Sequence, residues 1–304
     1  MKREFNFSRT FGIEIEMIVD QTNGPTFASD EGIKKMIAEI LKDEGINAEA
    51  QGYNHNDSAS TWKVITDSSC GFEVVSPILM GERGLEQVRT VAKALSNVSW
   101  LKVNKDCGLH VHHGVDDYKF ENFKNLFISY VKFENVFDML MPESRRGDVN
   151  SYCKSLKNIS QNNAKAAIDE IDKCKDFYAL ENLFYTRYIK LNLQSYMRHG
   201  TIEFRQHSGT LNADKMINWI VLTQLMIETA VDSNVKRTYK TKYESWNGLK
   251  RLIGAEAKEG LVKEMNTFYR KRIRELHGKG FDLWEPAVNV LHINNSYSQL
   301  TYAC

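Results

Sequence analysis

The chain has 304 residues, 42% of them hydrophobic, which is enough apolar material for one large domain or two modest ones. Net charge is +1 with 26% charged residues, so there is no basic footprint for nucleic acid and no acidic tail. No apolar stretch reaches membrane-spanning length, and neither a nucleic-acid nor a membrane partner is expected.

FGIEIEMIV at 11–19 alternates apolar and polar and predicts a strand. Residues 30–44 predict a helix with Ile33, Met36, Ile37, Ile40 and Leu41 as its apolar stripe. Ser29 would cap its start and Gly45 stop it. Strands follow at 62–66 and 72–76, with Pro77 limiting further pairing. A helix over 82–97 carries Leu85, Val88, Ala92 and Leu95 on one side. CGLHVHHGV predicts a strand with His110 and His112 on one face. FENFKNLFISYVKFENVFDMLM predicts a long helix halted by Pro142, and 143–157 a polar loop. Shorter helices fill 160–184. YIKLNLQSY and GTIEFRQHS predict two strands turning at His199-Gly200 as a hairpin. Helices near 212–232 and 255–276 follow. With four prolines and no Gly/Ser run or repeat, no linker is marked. The expectation is one α+β domain over 1–304: a mainly antiparallel sheet with helices on one face, a helical insertion near 117–184, and a C-terminal helical segment near 212–280.

The polar faces of these strands collect unusual residues. The first gives Glu14 and Glu16, about 7 Å apart by strand rise. Later strands give Glu73, His110 and His112. The hairpin gives Asn192, Glu203, Arg205 and His207, and Asp67 ends the second strand. The opposite faces are consistently apolar: Ile13/Ile15, Phe72/Val74, Leu109/Val111, Leu191/Leu193 and Ile202/Phe204. Singly, each polar residue has a structural reading. Glu14 and Glu16 fit an exposed strand, the histidines a satisfied core, and Arg205 a salt bridge. Structural readings of Asp67 and His207 stay equally open.

Four glutamates on one sheet face need cations. Mg²⁺ or Mn²⁺ takes carboxylate oxygens, with imidazole as a minority ligand of Mn²⁺. Such ions keep positions open for substrate phosphates. Arg205 beside them could neutralise charge in phosphoryl transfer. No G-x-x-x-x-G-K-[ST] or G-x-G-x-x-G loop occurs. The five cysteines (Cys70, Cys107, Cys153, Cys174 and Cys304) form no C-x-x-C pair and none stands in a nucleophile context. Together with an N-terminus, MKREFNFSRT, that lacks the apolar core of a signal peptide, they fit a cytoplasmic protein.

Four segments, FGIEIE, D-x-S-x-x-G-F-E-V-V-S-P, CGLHVHHG and TIEFRQHSGTLN, resemble the phage and bacterial amidoligase family, carboxylate–amine ligases of the glutamine synthetase fold. The resemblance covers about residues 9–220 and implies that fold, with ATP and Mg²⁺ or Mn²⁺ as cofactors. It implies that ATP phosphorylates a small-molecule or peptide carboxylate and that an amine attacks the acyl phosphate. By the same resemblance Glu16 and Glu73 hold one metal. Glu14, His110 and Glu203 hold the second, His112 lies near the nucleotide phosphates, and Arg205 steadies the transferring group. The spacing of Asp67 departs from glutamine synthetases, and the residues that bind glutamate and ammonia there are not located in this sequence, so substrate identity does not carry over. SRRGDVNSYCKSL resembles a family element, in which Arg145, Arg146 and Lys154 could bind a substrate carboxylate or form a solvated basic loop. Two other readings stay open: a guanidino or amino phosphotransferase of the same fold, and a zinc hydrolase using His110 and His112. Oligomeric state is not legible.

Overall fold

Ile13, Ile15 and Met17 are fully buried on one side of the first strand, and the same side of every neighbouring strand is apolar. That shared face sets the architecture of a computed structural model describing residues 2–20, 22–25, 28–52, 60–232, 235–278, 280 and 282–291. In chain order the elements are β1 (Phe11–Val19), α1 (Asp30–Asp43), β2 (Ala48–Ala50), β3 (Trp62–Asp67), β4 (Gly71–Val75) and α2 (Gly81–Ser96). Then come β5 (Leu101–Lys102), β6 (Gly108–Gly114), α3 (Phe120–Leu140), α4 (Ala164–Lys173), α5 (Phe177–Leu183), β7 (Leu191–Asn192), α6 (Gln194–His199) and β8 (Thr201–Ser208). The last are α7 (Ala213–Asp232), α8 (Trp246–Leu252), α9 (Gly260–His277) and α10 (Ala287–Val290).

The sheet runs β2-β3-β4-β1-β6-β8-β7, with β5 pairing the end of β1. All pairs are antiparallel except β2 with β3. β2 and β5 went unseen in the sequence because three and two residues carry no readable alternation. The expected α+β class and the mainly antiparallel sheet are what the chain forms.

The helical layer begins with local signals. Ser29 Oγ accepts from the Gly32 amide at 3.2 Å, and Gly45 takes the left-handed conformation just past α1. Met36, expected on the apolar stripe of that helix, is exposed instead. α3 and α7 are buried nearly all round, as their apolar sequences demand, and pack on each other. Tyr130 stacks on Phe137 at 4.7 Å, and Trp219 meets Phe137 edge-on. α3 therefore belongs to the core layer rather than hanging off it.

The expected hairpin at His199-Gly200 does not form. β7 ends after two residues because Asn192 Oδ1 accepts from the Gln194 amide at 2.9 Å and starts a helical turn. α6 then runs to Gly200, whose φ of +65° closes it by bonding back to the Tyr196 carbonyl. β7 and β8 still pair antiparallel, across a short helix instead of a turn.

Behind β7 and β8 lies a buried ionic cluster. Lys190 Nζ is 3.0 Å from Glu134 Oε1 and 2.6 Å from Asp138 Oδ1, and all three side chains are essentially inaccessible. Gln206 donates to Asp138 and Tyr130 donates to Gln206. Burial works against the Lys190 charge, but Asp138 and Glu134 outweigh it and raise its pKa. The Lys190→Met variant leaves buried Asp138 without its cation and Glu134 with Lys157 alone, 3.9 Å away. It should lose about 3–5 kcal/mol of stability. Urea unfolding would show a lower midpoint at an unchanged slope; a wild-type midpoint would mean the cluster is not held ionised.

Candidate active site

The sheet register brings the polar residues together before any side chain is considered. Glu14 lies opposite His110, Glu16 opposite Glu73, His112 opposite Glu203, and Asn192 opposite Glu203. Directly opposed residues in antiparallel strands sit within side-chain contact. The result is a cleft of about 200 Å³ lined by these residues together with Asp67 and Arg205.

His110 is the hub. Its Nδ1 is 2.9 Å from Glu14 and 3.4 Å from Glu203, and its Nε2 is 3.5 Å from Glu16. Glu16 also accepts a bond from the Gly108 amide. Arg205 pairs with Glu203 through NH1, and Asn192 donates to the other Glu203 oxygen at 2.7 Å. His112 Nδ1 lies 3.1 Å from both Ser195 Oγ and Thr201 Oγ1. Its Nε2 is 3.2 Å from Glu14 but off the hydrogen-bonding direction, so this buried nitrogen has no hydrogen-bond partner. Glu73, among the described residues, takes no hydrogen bond and no ion pair, although it is buried.

The electrostatics divide the carboxylates. Burial would raise the Glu14 pKa, but His112 and His110 outweigh it and hold it well below the usual range. Glu203 is likewise lowered against burial, by Arg205 and His112. Burial lowers His112, yet Glu14 and Glu203 overcome that and raise it. Glu73 has only weak help of this kind, from Arg205. Burial first, then Glu14, Glu16 and Asp67, push it well above the carboxylate range.

Two groups of side chains can each bring three donor atoms within 4.8 Å of one another: Glu14, His112 and Glu203, and Glu14, Glu73 and His110. Hard oxygen donors with one imidazole suit Mg²⁺ or Mn²⁺. The orphaned His112 nitrogen and the uncompensated Glu73 carboxyl are what bound cations would satisfy. Neither group contains both histidines, the pair the zinc hydrolase reading would use.

Asp67 lines the cleft from the end of β3. Its Oδ1 accepts from the Ser69 amide at 2.7 Å and the Cys70 amide at 3.2 Å, and from the Ser69 hydroxyl. Burial would raise its pKa, but these bonds prevail and lower it.

Four residues expected at the site do not line the cleft. Between β6 and β8 the register shifts at Leu109/Val111, leaving an extra residue on β8. The bulge turns His207 to the helical face, where its ring lies 5.3 Å from Trp219, outside the cleft. Arg145, in the short turn Glu143–Arg145, is buried and spends its guanidinium on the Asp106 and Cys107 carbonyls. Arg146 donates to the Met141 carbonyl at 2.9 Å. Lys154 is exposed and away from the cleft. The two arginines therefore brace the start of β6 and the end of α3, while Tyr152 of the same loop lines the cleft. Cys70, Cys107, Cys153 and Cys174 are free and buried, and Cys304 lies outside the described residues.

The sequence reading missed Tyr152, Arg187, Tyr188, Arg198 and His199, which form the cleft's outer wall. They sit in loops and on α6, where no periodicity marks a face. Arg187 stacks over Tyr188 at 5.2 Å. A second cavity of about 280 Å³ opens on the same sheet face, with Ile65, Val75, Pro77 and Ile78 in its walls. Among the described residues, no helix is long and apolar enough to cross a membrane.

A family model described as "Putative amidoligase enzyme" matches residues 8–227. No curated protein matches the chain. Among solved structures, the glutamate–cysteine ligase of Francisella tularensis in complex with AMP aligns with 98% of this chain and 84% of its own, at 13% identity and a TM-score of 0.39. The ligase PafA, in complex with the prokaryotic ubiquitin-like protein Pup, aligns with 98% of this chain and 70% of its own, at 8% identity and a TM-score of 0.42.

His207 gives a pH test that is independent of function. Burial holds its pKa down to about 3, partly opposed by the bond from Nδ1 to the Ser208 carbonyl. Below pH about 6.5 the unfolded chain binds a proton that the folded chain refuses. The contribution is therefore fully present above that pH and lost as pH falls toward 3, at up to about 1.4 kcal/mol per pH unit. Denaturation of His207→Gln between pH 6 and 4 should show a shallower dependence, by about one proton. Identical slopes would contradict the burial of a neutral imidazole.

Proposed function

The chain belongs to the amidoligase family, enzymes of the carbon–nitrogen ligase type, and we propose on that premise that it joins a carboxylate to an amine through an ATP-derived acyl phosphate. The observation that carries the reading is the overlap of two carboxylate–imidazole groups on Glu14, with the Glu203–Arg205 pair beside them.

Glu14, His112 and Glu203 would hold one divalent cation, and Glu14, Glu73 and His110 the other. This grouping follows the cleft's own distances and differs from the division the resemblance implies. Bound there, Mg²⁺ or Mn²⁺ would neutralise phosphate charge and orient the γ-phosphoryl group. Glu16, tied to the Gly108 amide and His110, completes the negative floor. The second cavity supports placing the nucleoside against Ile65, Val75 and Pro77. The acyl substrate then occupies the polar cleft, under Arg205 and the Arg187–Tyr188 wall.

In the reaction a substrate carboxylate oxygen attacks the γ-phosphorus. The bond to the bridging oxygen breaks and the electron pair leaves with ADP. The amine nitrogen next attacks the acyl carbon, phosphate departs with its pair, and the nitrogen loses a proton. Arg205 is placed to face the equatorial oxygens of the transferring group, where charge develops. Its pairing with Glu203 keeps the guanidinium fixed beforehand, so little reorganisation is needed. Asn192 holds the other Glu203 oxygen and limits rotation of that carboxylate.

Phosphate release from ATP with Mg²⁺, against a panel of carboxylates and amines, tests the reading. Release should require both substrates, and the product mass should equal their sum minus water. Glu203→Gln and Arg205→Ala should each lower turnover by at least about 10²-fold. Wild-type turnover in either would remove the role assigned to it. Glu73→Gln has a separate signature. It should raise the stability of the metal-free protein, because a repelled carboxyl is gone, and shrink the stabilisation that Mg²⁺ confers. A variant less stable than wild type in a chelator would contradict the repulsion.

A further inference from the structure

The two cavities on the sheet face meet, and four described residues line both: Glu14, Glu73, His112 and His199. The first three belong to the cation-binding groups. His199 belongs to neither, and nothing in the ligase reading uses it. Resting on that reading, we propose that His199 is a catalytic residue that touches the phosphoryl group as it passes from nucleotide to acyl substrate.

Placement carries the argument. If the nucleoside occupies one cavity and the acyl substrate the other, the group exchanged between them crosses their junction. The floor of that junction is carboxylate, and His199 stands on its wall. Its ring meets His112 edge-on, with centroids 6.4 Å apart and planes at 87°. The backbone holds it there. His199 ends α6, and Gly200 follows in the left-handed conformation that a side chain would strain. The Gly200 carbonyl accepts from the Val115 amide at 3.1 Å, which ties the turn to the end of β6.

Chemistry decides what the ring does. Phosphoryl transfer spreads charge over three equatorial oxygens, and positioned donors aimed at them lower the barrier. An imidazole always offers at least one N–H. His199 donates a hydrogen bond to a phosphoryl oxygen and transfers no proton. The carboxylate oxygen forms its bond to phosphorus, and the bridging bond breaks toward ADP as before. Amine attack takes place at the acyl carbon, inside the polar cleft, so the junction residue serves the first step and not the second.

The test compares His199→Ala with His199→Gln, which keeps a donor. His199 is exposed, so both variants should unfold at the wild-type denaturant concentration. His199→Ala should lower kcat by about 10²-fold, weaken ATP binding, and leave ADP binding unchanged. His199→Gln should recover a substantial part of the loss. Wild-type kcat and an unchanged preference for ATP over ADP in His199→Ala would overturn the proposal. Equal loss of ATP and ADP binding would overturn it too, since the ring would then hold the nucleotide instead of the transferred group. Wild-type protein that binds neither nucleotide with Mg²⁺ would remove the ligase reading itself, and this proposal with it.

Discussion

Glu16 and Glu73 face each other across neighbouring antiparallel strands, with Glu14 one step away on the same face. The sheet cannot relieve this crowding by slipping. A shift of one residue would move Ile13, Ile15 and Met17 into the cleft and the glutamates into the core. Burial of the apolar face therefore locks the carboxylates in place against their mutual repulsion. His110, His112 and Arg205 offset part of the charge. Glu73 is the remainder, buried and without a partner among the described residues, and its raised pKa expresses that deficit. The deficit is the physical reason for reading the cleft as a cation site.

The strand that carries Glu203 and Arg205 is held from both sides. On the cleft side, Asn192 and the Glu203–Arg205 pair fix the side chains. On the helical side Gln206 bonds to Asp138, and within the sheet the Arg205 amide donates to the Lys190 carbonyl at 2.9 Å. Gln206 shares the helical face of Ile202 and Phe204 by alternation, and the bulge adds His207 to it while Arg205 stays over the cleft. A site that binds cations and phosphates needs such support, because small displacements of its donors cost much of their effect.

The sheet and most of the cleft were legible because both follow from alternation. Glu14, Glu16, Glu73, His110, His112, Asn192 and Glu203 lie where period two puts them. What failed depended on information that alternation lacks. His207 is misplaced by one extra residue in a ladder, which no single strand reveals. Arg145 and Arg146 look like anion ligands in a polar loop, yet their guanidinium groups satisfy backbone carbonyls around β6 and α3. The six residues of α6 mimic a strand continuing to a turn, and only the Asn192 side-chain bond and Gly200 make them helical. His199, Arg198 and Tyr188 reach the site through that irregular segment. Their one sequence signal was position, between two strands that both carry site residues.

Calorimetric titration of Mn²⁺ into metal-free protein tests the central claim most directly. Because Glu14 belongs to both groups of ligands and Glu73 to one, the variants separate the sites. The account predicts two ions bound per chain, both weakened by Glu14→Gln and one by Glu73→Gln. Absence of binding, or binding indifferent to Glu14→Gln, would contradict it.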